Sequence, residues 1–404
     1  MWAPLALLAI LQLLFSVPYL QWDEWDAFAP MIDSSLSGAD LLAFFWQHHN
    51  VHRHPLAKIL YWLTLQLTPS TQPLMWLSLI LVAASFSILI RMLEEKKGLL
   101  SNFQVFLVSA LYFSLSYVGN FFSAMNICWT LIQFAVVFFC YGLAKKRWPV
   151  TLVSAILAFL SIGLWPIFIG IYLLDLLIHW LENKELQSRL SEIMVATVIA
   201  TLMVIFYFSN SPTLASQASP QTSDHLRIAS EFFLLMLGLP FHSVDRWLQI
   251  FAGLFFLGSG LWICIRSLRA GRKFEILLIA AAVAAALLIS YARSVEPVVA
   301  HERYTSPLMP AWVAIAYCWL KWGGERVWMR NVGVGFLSVH LVFSLEGPIR
   351  RQIRFFKEHE QAQVCLEEVL NGQSSYDERK NCMEILYPDE SFLPTAARLR
   401  GLFK

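Results

Sequence analysis

Charge is scarce in this sequence: only 14% of its 404 residues are Asp, Glu, Lys or Arg. An ordinary soluble domain carries roughly a quarter. That scarcity, with 57% hydrophobic residues and a positive mean hydropathy, excludes a soluble globular chain and points to an integral membrane protein of many spans. A net charge of +2 gives no reason to expect a nucleic-acid partner, and no basic tract suggests one. The opening residues, Met1-Trp2-Ala3-Pro4, lack a basic n-region, and no small-x-small cleavage site follows the first apolar run. That run therefore reads as a retained membrane helix and not as a removed signal. No internal repeat is visible, which weakens an inverted-repeat transporter. Cysteine is sparse as well, six in all. Cys128, Cys140, Cys264 and Cys318 fall in apolar segments and read as buried thiols. Cys365 and Cys382 lie in a polar tail and could pair in an oxidising compartment.

What the sequence does contain is a series of apolar runs between short polar loops, at 5–20, 74–93, 103–118, 127–143, 150–164, 167–181, 193–208, 247–265, 274–291, 308–320 and 332–345. They predict an all-α, polytopic helical membrane protein of about eleven spans. The expected organisation is a membrane module over 1–346, with a long first outer loop at 21–73, and a small helical tail over 347–404. Trp165-Pro166 divides one long apolar stretch into a tight hairpin. The 55–67 stretch is short for a span and reads as an interfacial helix. The 209–224 stretch reads as a flexible outer loop, and 232–241, interrupted by Gly238-Leu239-Pro240, as a re-entrant or interfacial element. Cations mark alternate loops: Arg91, Lys96 and Lys97; Lys145, Lys146 and Arg147; Lys184 and Arg189; Arg266, Arg269, Arg272 and Lys273; Lys321, Arg326 and Arg330. All fall on one side if the first helix runs outward. By the positive-inside rule that side is the cytoplasm, and the other loops and the tail face a periplasm or equivalent lumen.

The first outer loop opens with Trp22-Asp23-Glu24-Trp25-Asp26, three carboxylates between two indoles directly after the first apolar run. A carboxylate is costly in hydrocarbon, and an indole suits the membrane interface, so the cluster belongs at the bilayer surface. It reads as a catalytic mouth; a solvated helix cap with aromatic anchors is the plainer reading. Further on come His48-His49-Asn50-Val51-His52-Arg53-His54 and Lys58. His48 and His52 at i, i+4 have zinc-ligand spacing, but that spacing alone is weak. Arg53, with its permanent charge and planar fork, and His52 as a donor suit a phosphate better, and Lys58 would add a third positive group. A second cation group, Arg293 and then His301-Glu302-Arg303-Tyr304, precedes the tenth run on the same outer face. Its plainer reading is a lipid headgroup anchor. Asn120, Asn126, Trp129 and Gln133 either line the same cavity or bond helix to helix.

With these residues in place, the chain resembles the GT-C superfamily of membrane glycosyltransferases. It is most similar to bacterial aminoarabinose and protein O-mannosyl transferase relatives. The residues that carry the likeness are Trp22-Asp23-Glu24-Trp25, Asn50-Val51-His52-Arg53 and Arg303-Tyr304, with Val51 where those proteins usually have an acid. The resemblance implies a polyprenyl-phosphate sugar donor and a lipid, glycan or protein acceptor, in a bacterial inner membrane with the site facing the periplasm. Its phosphate would be held by Arg303, Arg53, Lys58, Tyr304 and His52 or Arg293. Asp23 would be the general base, while Glu24 and Asp26 orient the acceptor or hold an optional divalent cation, Mg or Mn. Two other classes stay open: a transporter or flippase for lipid-linked saccharides, and a non-catalytic envelope-assembly protein.

Overall fold

The computed structural model describes residues 1–16, 38–49, 52–68, 70–94, 100–183, 187–209, 222–241, 246–293, 301–322 and 327–383, with short pieces at 393–394 and 396–397. The described chain is helical apart from one two-residue ladder. Helix α1 (Ala3–Phe15) is followed by α2 (Ala39–Trp46), the strands β1 (His48–His49) and β2 (His52–Arg53), and α3 (Pro55–Leu67). The bundle proper runs through α4 (Gln72–Leu93), α5 (Asn102–Tyr112), α6 (Gly119–Phe122), α7 (Ile127–Ala144), α8 (Trp148–Ser161), α9 (Pro166–Asn183) and α10 (Leu190–Phe208). It continues with α11 (Thr222–Leu237), α12 (Arg246–Arg269), α13 (Lys273–Arg293), α14 (Met309–Trp322), α15 (Val327–Leu370) and α16 (Tyr376–Met383).

Among the described residues, seven helices are long and apolar enough to cross a membrane: α4, α7, α9, α10, α12, α13 and α15. The sequence predicted about eleven. The difference lies in α1, α5, α8 and α14, which have 13, 11, 14 and 14 residues. At about 1.5 Å per residue, none of the four spans a hydrocarbon core of about 30 Å. The 103–118 run shows why. Its helix ends at Tyr112, and the Ser114 hydroxyl accepts from the Ser116 N–H to start a separate turn at Leu115–Tyr117. The predicted break at Trp165-Pro166 holds, with α8 ending at Ser161 and α9 opening on Pro166, where the missing N–H is harmless.

The core sits on α7 and α14. Trp312 of α14 is wholly buried, stacks on Phe336 and donates its indole N–H to the Leu237 carbonyl at 2.8 Å. By contrast, α10 has only 6% of its apolar window buried, so most of its side chains face outward, as a lipid-facing helix requires, while Met203 and Tyr207 turn inward. The 232–241 stretch belongs to a longer element than expected: α11 is 16 residues, closed by a turn at Leu239–Phe241. It crosses α12 with backbones in contact, since a Cβ on Gly238 would lie 1.8 Å from the Gln249 carbonyl oxygen and one on Gly253 2.3 Å from that of Leu234. Small residues at a helix crossing allow this approach.

At the end where the cation-rich loops gather, Asp175 of α9 is fully buried between Arg189 and Lys273, each at 2.6 Å. That pairing joins two loops the cation count had grouped together. The opposite end joins the hairpin, the end of α8 and the end of α10, which the same count had placed on the other face. There α15 passes α1: Gln352 donates to the Phe15 carbonyl at 3.3 Å, and Phe356 packs edge-on against Phe15. Helix α15 is one 44-residue helix, so the sequence boundary at 346/347 falls inside it. Beyond it, Ser375 and Glu378 cap α16 reciprocally, and a Cys365–Cys382 disulfide ties α16 back to α15. The pairing expected for these cysteines is thus present.

Candidate functional site

The hairpin is built so that Arg53 points into protein. His48 pairs with Arg53 and His49 with His52 across an antiparallel ladder, and Pro55 then starts α3 at once. Arg53 is 3% exposed. Its guanidinium donates to the Trp46 carbonyl at 2.8 Å and to the Ser209 carbonyl, and it lies 5.1 Å from the centre of the Trp46 ring. Its Nε has no acceptor, and no carboxylate pairs with it among the described residues. Burial pulls its pKa below the usual arginine range. Lys58, one turn into α3, is buried beside it. Its ammonium donates to the Phe44 and Gln47 carbonyls at 3.1 and 3.0 Å, closing the C-terminal end of α2. It also sits 4.5 Å from the Phe44 ring. Burial, and then the nearby Arg53 charge, pull its pKa down to about 8. His48, half-buried opposite Arg53, is pushed below its ordinary value by burial first, then by Arg53 and Lys58. Two cations beside it oppose a further positive ion, and the hairpin removes the helical i, i+4 geometry the zinc reading needed.

Beneath Arg53 a line of aromatic contacts leads into the bundle. Trp46 packs on Phe159, which meets Trp165 and Tyr207. Trp165 in turn lines a cavity of 410 Å³ between α7, α8, α9 and α10, whose walls include Phe139, Trp148, Tyr172 and Met203. That cavity is almost wholly apolar in its side chains.

The second cation group forms its own cluster. A turn at Glu302–Thr305 follows His301, and Tyr304 is buried edge-on against Trp129 at 5.1 Å. Asn120 of α6 holds the turn: its amide donates to the Arg303 carbonyl at 3.1 Å and to the Ser306 hydroxyl at 2.7 Å. Arg303 Nε, Asn120 Oδ1 and the Thr305 hydroxyl are each buried without a hydrogen-bond partner among the described residues. The structure thus gathers Trp46, Arg53 and Lys58 at one place and Asn120, Trp129, Arg303 and Tyr304 at another, both at the end of the bundle opposite Asp175.

Asp23, Glu24 and Asp26 lie outside the described residues, as do the side chains of His52 and Arg293. No group of three or more His, Cys, Asp or Glu is gathered closely enough to hold a metal among the described residues. Sequence reasoning missed His54, whose Nδ1 lies 3.1 Å from the Ser161 carbonyl and fixes the hairpin to α8. It also missed Asp175, although an acid inside an apolar run is a readable signal. No protein-family model matches the chain, and neither the curated proteins nor the solved structures contain a match.

Proposed function

We propose that this chain is a membrane glycosyltransferase that moves a sugar from a polyprenyl-phosphate donor to an acceptor hydroxyl. One observation carries the reading: a buried guanidinium, Arg53, uncompensated by any carboxylate among the described residues, is linked through the rings of Trp46, Phe159 and Trp165 to the wall of an apolar cavity. Burying such a charge costs several kcal/mol unless an anion compensates it. A lipid phosphate answers both halves, with the phosphate at the guanidinium and the chain in the cavity. Arg303, with its own unused N–H, is the second cation for that phosphate, and Lys58 holds the hairpin that presents Arg53. The ion pairs around Asp175 mark the contrast, because there each buried charge has its counter-charge.

In this reading Asp23, placed by the sequence just beyond α1, takes the proton of the acceptor hydroxyl. The freed oxygen forms its bond to the anomeric carbon as the carbon–oxygen bond to the lipid phosphate breaks, which inverts that centre. The base is needed because a hydroxyl is a poor nucleophile while it keeps its proton. The cations are needed because negative charge grows on the departing phosphate. Glu24 and Asp26 would orient the acceptor or hold an optional divalent cation, which would supply further positive charge for the departing phosphate. The GT-C plan with about eleven crossings belongs to the same reading, with α14 and half of α5 enclosed by other helices and not exposed to lipid. So does the periplasmic face of a bacterial inner membrane, which rests on the cation count.

Reconstitution of the full chain with a labelled polyprenyl-phosphate sugar tests it. Wild type is expected to release polyprenyl phosphate and form a labelled product. Asp23→Asn should bind donor without transfer, and Arg53→Ala should raise the donor KM about tenfold or more, the loss of a charged hydrogen bond. Labelled donor that crosses the bilayer intact would replace the enzyme with a carrier. Absence of any donor binding would leave an assembly role.

A further inference from the structure

Helix α15 does not stop where its apolar part ends. After Leu345 it runs on to Leu370, and from Gly347 to Lys357 it carries Arg350, Arg351, Arg354 and Lys357 with no acidic residue among them. All four side chains are exposed. At about 1.5 Å of rise per residue, Arg350 lies about 8 Å and Lys357 about 18 Å beyond Leu345. A headgroup layer is roughly 5–8 Å deep on each side of the hydrocarbon. The basic run therefore begins at the outer edge of the headgroups and rises to about 10 Å above them, within about a Debye length.

The run also has a direction. Arg350, Arg354 and Lys357 follow one another at i, i+4 and i+7, so they share a helix face. A recess of 290 Å³ lies along that face between Arg350, Ile353, Arg354, Lys357, Glu358 and Gln361. The other face is occupied by the bundle, through Gln352 and Phe356 against Phe15. Arg354 and Lys357 have no carboxylate within ion-pair distance among the described residues. This end of the bundle is also the one whose loops are poor in cations, so the run opposes the charge bias that sets topology.

We propose that the lower end of this face of α15 contacts anionic phospholipid headgroups of the adjoining leaflet, fixing the base of the tail-bearing helix at the membrane surface beside α1. Each cation near such a surface is attracted to the anionic layer, and the attraction fades within a Debye length. The contact is independent of sugar transfer and would hold for a carrier or an assembly protein equally.

Hydrogen exchange over 347–370 tests it, with the full chain in nanodiscs of phosphatidylcholine alone or mixed with phosphatidylglycerol. Exchange is expected to slow about tenfold when phosphatidylglycerol is present. Added salt should reverse the slowing, and the R350Q/R351Q/R354Q/K357Q variant should lack it. The R354Q/K357Q double variant, which changes two exposed side chains only, should lose part of the effect with protection elsewhere unchanged. Equal exchange in both lipids overturns the proposal. So does slowing by inorganic phosphate in phosphatidylcholine discs with nothing added by phosphatidylglycerol, which would assign the face to a soluble anion.

Discussion

A charged residue in this chain means different things according to what surrounds it, and sequence alone shows only the charge. Lys58 was legible as a cation of the first loop. That it is spent on two carbonyls at the end of α2 was not, because the partners, Phe44 and Gln47, are recognisable only once the hairpin folds back. Its depressed pKa gives a prediction with a definite sign. Folded Lys58 releases its proton at about 8, against 10.5 for the ordinary side chain. Between those values the unfolded chain binds more protons than the folded one, so stability rises with pH across that window. Below it, the full cost of a buried charge is present. Melting curves of wild type and Lys58→Met across the window should diverge in favour of wild type as pH rises, by at most on the order of 3 kcal/mol. Parallel curves would mean that Lys58 titrates as a solvated amine. Asn120 shows the other limit of sequence reading. It stood out as a polar residue near the membrane, but its hold on the Arg303 carbonyl joins residues 183 positions apart, which no local pattern reveals.

Among the elements, the hairpin break at Pro166 was readable because proline acts locally, whereas helix lengths were not. An apolar run records burial or lipid contact and says nothing of where the backbone stops being helical, so 103–118 looked like a span although its helix ends at Tyr112. The α11–α12 crossing is equally invisible in hydropathy, and it is where a single atom matters. Gly238→Ala puts a Cβ into the Gln249 carbonyl and forces the two backbones apart. An overpacked site of this kind costs about 1–3 kcal/mol, expected as a lower melting temperature in detergent with helix content unchanged. The tail makes the complementary case, since a cross-link can be argued from compartment and composition before any coordinates exist. Cys382→Ser removes a tie between residues 17 apart, worth about 3 kcal/mol by loop closure. Limited proteolysis at Arg379 and Lys380 should then speed up while cleavage within the bundle does not. Unchanged cleavage would show that Arg379–Glu368 and the cap at Ser375 suffice to hold α16.

For the molecule as a whole, the sequence grouped loops by their cations, and folding brings members of each group together. Arg189 and Lys273 meet on Asp175 at one end, while Arg53 meets Ser209 and His54 meets Ser161 at the other. This much was legible because charge bias is a property of the loops themselves and needs no tertiary contact. The unbonded N–H of Arg53 needed coordinates, since it depends on which carbonyls surround the side chain. The two groups of loops lead to a last prediction about topology. Ser209 and Lys145 are both exposed, one at each end of the bundle. Three of the four free cysteines are buried, and the tail pair is cross-linked, so an introduced thiol stands against a low background. In oriented vesicles an impermeant maleimide should reach Ser209→Cys and Lys145→Cys from opposite sides, the first from the face where α1 ends. If both label from one side, the two ends do not lie on opposite faces of a bilayer, and Arg53 loses its place at the membrane surface where a lipid phosphate would meet it.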